Sequence, residues 1–340
     1  MSETLILLVL IIVMALVFDF INGFHDAANA IATSVSTRVL APHTAVLMAG
    51  FFNLVGAFTS TAVAKFVAKG IVNPVDFSEA TIQVMVLSGL LAAIIWDLIT
   101  WYFGLPTSSS HAILAGVIGS AIAVEGWGVV IWSGIEKILL ALVLSPVVGF
   151  LGAFLLITLL YWLLHRARPA RVSGIFKNLQ ILSAMYMALS HGSNDAQKTM
   201  GIMTMALIGA GFLTKEAPVP WWVITSAALA MGLGTAAGGW RIVKTLGLQL
   251  TQLRPIHGFA AEATAASVIF ANSLLGLPIS TTHVISSAVM GVGASKRLSA
   301  VRWGVGQKII LAWLLTLPAC AVLAWAICKL FLVFVGGRDA

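Results

Sequence analysis

Asn22-Gly23-Phe24-His25-Asp26-Ala27-Ala28-Asn29 sets an imidazole, a carboxylate and two amides inside an apolar run. Leu5 to Val17, before it, is almost wholly aliphatic, and Ala30 to Val35, after it, is small and helix-compatible. Polar groups at that depth are costly unless they find partners. The pattern returns: Gly192-Ser193-Asn194-Asp195-Ala196 matches Gly23-Phe24-His25-Asp26-Ala27 at an offset of 169 residues. A second island, Gly104-Leu105-Pro106-Thr107-Ser108-Ser109-Ser110-His111, returns as Gly276-Leu277-Pro278-Ile279-Ser280-Thr281-Thr282-His283, offset 172. Two unlike islands, repeated in the same order at nearly the same spacing, mark an internal duplication. The fold implied is an all-α polytopic membrane protein. Two inverted-topology repeats, each with broken helices, meet at one mid-membrane site, as in a duplicated transporter.

Composition agrees. Of 340 residues, 60% are hydrophobic and 9% charged, and the mean hydropathy is +1.02. A soluble domain is about one quarter charged, so a water-covered globule is excluded. The net charge of +7 does not point to nucleic acid, because the basic residues sit in short loops between apolar runs. The eleven tryptophans suit interfacial belts. Cys320 and Cys328 share one apolar segment without metal-site spacing. The first apolar run has no basic segment before it and no cleavage site, so it does not read as a removable signal peptide.

The chain divides into an N-terminal transmembrane repeat over 1–164, a basic cytoplasmic linker over 165–177 and a C-terminal transmembrane repeat over 178–340. The first island is expected to break its helix, with one piece ending near Ile21 and another starting near Asp26. The second is expected to break after Leu189. Spans are expected over Thr44–Val67, Thr81–Tyr102, Gly134–Leu164, Trp221–Trp240, Pro255–Leu275 and Gly306–Val335, with a loop through Asn73-Pro74. With the basic loops at 165–177, 241–254 and 296–302 inside, each half makes five crossings. An odd number inverts the second half relative to the first. Lys65 and Lys69 fall outside in this scheme, against the rule.

Asp26 and Asp195 are the matched acids, each near an amide, Asn29 or Asn194. A carboxylate beside unwound carbonyls is a hard oxygen site for Na⁺ or for proton exchange. The structural alternative is an Asp–amide bond that only locks the halves together. Thr107, Ser108, Ser109 and Ser110 after one proline, and Ser280, Thr281 and Thr282 after the other, make hydroxyl-rich helix starts. Their free N–H groups can cradle an oxyanion; equally, the hydroxyls could bond only to neighbouring turns. Asp97 and Glu262, both flanked by apolar residues, are further cation ligands or proton carriers, or partners for Lys198. Lys198, three residues after Asp195, shares its helix face and reads as a counter-ion. Asn22, His25, His111, His191 and His283 support the site as donors or acceptors. Their spacing matches no zinc site. Four island histidines, with Asp97 and Glu262, favour H⁺ over Na⁺ as the coupling ion. No nucleophile set and no Walker motif is present, so neither an enzyme nor an ATPase is expected.

With both pairs of islands in view, the chain resembles the PiT inorganic phosphate transporter family. The resemblance rests on Asn22–Asn29, on His191-Gly192-Ser193-Asn194-Asp195-Ala196-Gln197-Lys198, and on the two Gly-Leu-Pro islands, and it covers residues 10–330. It implies secondary symport of inorganic phosphate with H⁺ or Na⁺ in an inverted-repeat fold, with Na⁺ the one ion to bind and no other cofactor. It implies cation-side roles for Asp26, Asn29, Asn194 and Asp195. Anion-side roles go to Ser108–Ser110 and Ser280–Thr282. The partners implied are phosphate, free or as a divalent metal–phosphate complex, the lipid bilayer and a second copy of the chain. The location implied is a multi-pass place in a prokaryotic plasma or inner membrane. The large hydrophilic insert of longer members is missing. A sulfate permease of the same fold is the nearest alternative, and a channel-like anion pore a more distant one.

Overall fold

The computed structural model describes residues 3–73 and 76–336. Pro74, expected in a loop, and the extreme ends of the two expected halves lie outside the described residues. The first half holds α1 (Glu3–Ser36), α2 (Pro42–Ala57), α3 (Ala62–Lys69), α4 (Glu79–Tyr102), α5 (Ser109–Glu125) and α6 (Trp132–Leu163). The second holds α7 (Pro169–Gly209), α8 (Trp221–Ala237), α9 (Trp240–Lys244), α10 (Pro255–Leu274), α11 (Thr281–Ala294) and α12 (Trp303–Gly336). Of the stretch 165–177 only the part up to Arg168 is loop; from Pro169 it forms the first turns of α7.

The order of elements repeats. A long island-bearing helix comes first in each half, followed by a bent pair. The pair α2–α3 turns by 71°, and α8 turns by 57° into α9 and the π-helical turn after it. Next comes a helix ended by Gly-Leu-Pro, then a short helix that starts on hydroxyls, then a long outer helix. Pro146 lies inside α6 and Pro318 inside α12, 172 residues apart. Packing follows the same exchange: α1 lies on α8 and α7 on α2, while α5 lies on α12 and α11 on α6.

The expected breaks at the aspartate islands are not there. Both α1 and α7 run helical through them. The repeated glycines serve a close crossing rather than an unwound turn. A Cβ on Gly192 would meet the Asn53 carbonyl oxygen at 2.1 Å, and one on Gly23 would meet the Met231 carbonyl oxygen at 2.5 Å. Small residues let helix backbones approach where lipid gives no hydrophobic drive for association. The span expected as a single helix over Thr44–Val67 is a bent pair instead, while that expected over Trp221–Trp240 is α8, ending three residues early before the bend into α9.

α1 and α7 pass each other antiparallel. Thr37 bonds Gln180, Asp26 faces His191, and Asp19 lies beside Thr199. Two apolar clusters result. One holds α1 up to Ile21 with α7 from Ala196 onward; the other holds α1 from Ala28 with α7 around Met187 and Ala188. The polar islands therefore occupy the seam between two apolar bodies.

Outside, α6 and α12 expose an aliphatic surface: Leu140, Val143, Leu151 and Leu155 on one, Leu311, Leu314 and Val322 on the other. Such a band fits lipid, not water. Trp132 and Trp162 bracket α6 and are both exposed. Thirty residues at about 1.5 Å each separate them by about 45 Å, the thickness of a bilayer with its interfaces. Five described helices are long and apolar enough to cross a membrane, or seven if each bent pair counts as one span. The chain is a multi-pass membrane protein.

Candidate functional site

Each Gly-Leu-Pro island builds the same device. Gly104 and Gly276 take left-handed backbone angles, φ +65° and +73°. The next N–H then folds back to close the preceding helix, Leu105 onto the Thr100 carbonyl and Leu277 onto the Asn272 carbonyl, each at 2.9 Å. After the proline a serine caps the new helix: Ser108 Oγ accepts from the His111 N–H, and Ser280 Oγ from the His283 N–H. Each cap satisfies one of the free donors of a first helical turn. Thr107, Ser108, Ser109, Ser110, Ser280, Thr281 and Thr282 are all buried.

The start of α11 is fastened to both aspartates. Thr282 donates to Asp26 Oδ2 at 3.1 Å and Thr281 to Asp195 Oδ2 at 3.0 Å. Asn29 Nδ2 donates to Thr282 at 2.9 Å and to Thr281 at 3.3 Å. The residues expected on the cation side and those expected on the anion side of the second half are thus one network. Asp26, His191 and Asp195 present ligand atoms within 4.8 Å of one another. His191 Nδ1 meets Asn53 Oδ1 at 2.8 Å, and Asn53 in turn donates to Thr235 at 2.9 Å. The other ring nitrogen of His191 faces Asp195 Oδ2 at 3.2 Å and Asp26 Oδ2 at 3.9 Å.

In the first half, His25 bonds Asp26 Oδ1 at 2.6 Å and Thr100 Oγ1 at 3.1 Å, and Thr107 donates to Thr100 at 2.9 Å. Asp97, one turn before Thr100, lies near His25, Asp26 and Ser109. Neither oxygen of Asp97 meets a donor at hydrogen-bond geometry among the described residues. The amide oxygens of Asn22 and Asn29 are likewise buried without a donor there. Orphaned oxygens beside a carboxylate are the donor set a small hard cation takes. Lys198 Nζ bonds Asp195 Oδ1, as the shared helix face implied. Asn194 Nδ2 reaches the Leu277 carbonyl at 3.4 Å.

Three expected site residues stand outside the aspartate hydrogen-bond network. Glu262 accepts from Thr33 and Ser183, and from Gln180 at 3.3 Å. Thr33 is seven residues beyond Asp26, so Glu262 stands about 10 Å along α1 from the aspartate pair. His111 and His283 do not face the carboxylates with hydrogen bonds. Their rings lie against each other at 4.9 Å, and His283 stacks on Trp313 at 3.9 Å. Residues that the sequence reading passed over do as much as those it singled out. Asn53 orients His191. Gln197 Oε1 accepts from the Val63 N–H at 2.9 Å at the start of α3. Ser273 bonds Ser193 at 2.9 Å. The signal for Asn53 was a lone polar side chain in an otherwise apolar run; Gln197 stood inside the second island and Ser273 beside Asn272.

Relatives place this geometry. Residues 22–324 match the model of the phosphate transporter family. A "Probable low-affinity inorganic phosphate transporter" of Bacillus subtilis is 47% identical over 95% of this chain and 96% of its own. One so named from Rhizobium meliloti is also 47% identical, over 95% of each chain. Among solved structures, "The sodium-dependent phosphate transporter" superposes with a TM-score of 0.89 at 26% identity, covering 96% of this chain and 99% of that one. The paired helix starts, the joined aspartates and a family match spanning both make one conclusion: the chain belongs to the phosphate transporter family.

Proposed function

We propose that this protein carries inorganic phosphate across a prokaryotic plasma membrane as a Na⁺-coupled symporter, with phosphate held between the starts of α5 and α11. The observation that carries this reading is the fastening of α11 to Asp26 and Asp195 through Thr282 and Thr281. An anion at these helix starts would sit beside two carboxylates. Lys198 already pairs with Asp195; at about 5 Å and an effective dielectric of about 20, the other carboxylate, Asp26, repels an anion by about 3 kcal/mol. The anion therefore enters only with a cation, and symport follows from the charge arrangement. Asp26 with the free oxygens of Asn22 and Asn29 is the cation place. His25 and Thr282 hold that carboxylate, and His191 bridges it to Asp195.

The count of histidines favoured H⁺. Na⁺ is the better reading because the His111 and His283 rings lie against each other and His283 stacks on Trp313, His25 and His191 are engaged as bond partners, and the structural relative is sodium-dependent by name. The two halves, 1–164 and 178–340, are read as inverted repeats, supported by the antiparallel passage of α1 and α7 and the exchanged packing of α5 and α11. Phosphate is preferred to sulfate because the family and the named relatives are phosphate transporters. Counterflow in proteoliposomes, labelled phosphate against unlabelled phosphate, sulfate or arsenate, tests this. Phosphate and arsenate should support counterflow and sulfate should not; counterflow by sulfate alone would overturn the substrate, and uncoupled flux of any anion would indicate a pore.

A further inference from the structure

At the offset of 169 the two aspartate islands share the glycine, the aspartate and the alanine after it, and one of them carries a lysine that the other lacks. Asp26 corresponds to Asp195, and Asn29, three residues on, corresponds to Lys198. The first half therefore offers a carboxylate and a neutral amide whose oxygen lacks a donor among the described residues. The second offers the same carboxylate with an ammonium bonded to it. Lys198 is 1% exposed and Asp195 is fully buried. A second buried carboxylate, Asp19 on α1, lies within electrostatic reach of Lys198, Asp195 and His191. Thr281 also donates to Asp195 from α11, as Thr282 does to Asp26 from the same turn. Each aspartate thus accepts from one threonine of the α11 start and has a histidine beside it, but only Asp195 is bonded to a permanent cation.

We propose that the Lys198 ammonium is a built-in cation. It holds, at Asp195, the place that a mobile cation takes at Asp26, so the chain binds one exchangeable Na⁺ fewer than its duplicated islands would supply. The physical reasoning is charge balance at a buried carboxylate. An ionised Asp in a low-dielectric seam needs a counter-charge. A lysine tethered three residues away on the same helix supplies it at an effective concentration no dissolved ion matches. A tethered cation cannot leave with the substrate. It sets the stoichiometry of transport without being transported.

The inference rests on the reading of Asp26 and Asn29 as a cation place, and the experiment separates the two. Equilibrium binding of ²²Na⁺ to the purified full-length protein in detergent, at fixed pH and without phosphate, gives the number of ions per chain. Lys198→Asn, which gives the second island the residue the first has at 29, should raise that number by one. Lys198→Arg, which keeps the tethered charge, should leave it unchanged. Asp26→Asn should lower it by one whatever stands at 198; no change there would overturn the first-half cation place alone. An unchanged count in a monodisperse Lys198→Asn variant would overturn the built-in cation. If that variant does not fold, Asp195→Asn in the wild-type background decides. It should leave Na⁺ binding unchanged, and loss of one ion would show that Asp195 holds a mobile cation after all.

Discussion

Gly192→Ala separates the tight crossing seen here from a helix that breaks at its island. A Cβ at 192 would stand 2.1 Å from the Asn53 carbonyl oxygen, where ordinary contact begins at 3.4 Å. Backbone, not a flexible side chain, lies in the way, so α2 and α7 must part by about 1.3 Å. Overpacking of this kind costs about 1–3 kcal/mol. The displaced residue is also the one that orients His191 through a 2.8 Å bond, so about 1 kcal/mol more is lost with it. Gly174, in the same helix, is the internal control: a Cβ there meets nothing within 4 Å. Gly174→Ala should stabilise by about 0.5–1 kcal/mol, because glycine is the poorer helix former. Thermal unfolding of the detergent-solubilised protein, followed by tryptophan fluorescence, should therefore shift down by several degrees for Gly192→Ala and slightly up for Gly174→Ala. Phosphate uptake should fall only in the former. If Gly192→Ala were as stable and active as wild type, the crossing would not be as close as described and the polar seam would need another explanation.

Further outcomes follow from the same geometry. Asp26→Asn and Asp195→Asn should each abolish concentrative phosphate uptake while leaving protein in the membrane, read by uptake and by surface-expressed protein; wild-type accumulation in either would make that aspartate structural. Thr282→Val removes a donor from Asp26 and an acceptor from Asn29, and should weaken Na⁺-dependent phosphate binding by roughly 1.5–3 kcal/mol, or about ten- to hundredfold. Isothermal titration checks this, and unchanged affinity would count against the α11 start as part of the site. Cysteines at Arg171 and at Lys215 should label from opposite faces of oriented membranes, since the 41 residues of α7 extend about 60 Å. Same-side labelling would contradict the inverted arrangement of the halves.

Much of this site could be read from the residues. The offsets of 169 and 172 located both aspartates and both helix starts. Gly-Leu-Pro followed by serine or threonine is a helix stop and start whose chemistry is local, so Gly104, Ser108, Gly276 and Ser280 behave as their types require. The aspartate islands misled for a physical reason. Asn, Gly and His disfavour a helix interior only weakly, and tertiary contacts decide. What the island glycines answer to lies on other helices: the Met231 carbonyl of α8 opposite Gly23, and the Asn53 carbonyl of α2 opposite Gly192. No local pattern carries that information. The place of Glu262 was hidden likewise. It became a satisfied acceptor for Thr33, Ser183 and Gln180 only once α1, α7 and α10 came together. The difference between Asn29 and Lys198 was present in the sequence throughout, but its meaning depended on both positions proving equivalent in space.

The central claim is that phosphate crosses only with a cation held at Asp26. The direct measurement is phosphate accumulation in proteoliposomes under an inward Na⁺ gradient, at equal pH on both sides and with a protonophore present. The account predicts accumulation that saturates with external Na⁺ and vanishes in Asp26→Asn. Accumulation driven by a pH gradient in Na⁺-free buffer, stopped by the protonophore and indifferent to Na⁺, would contradict it.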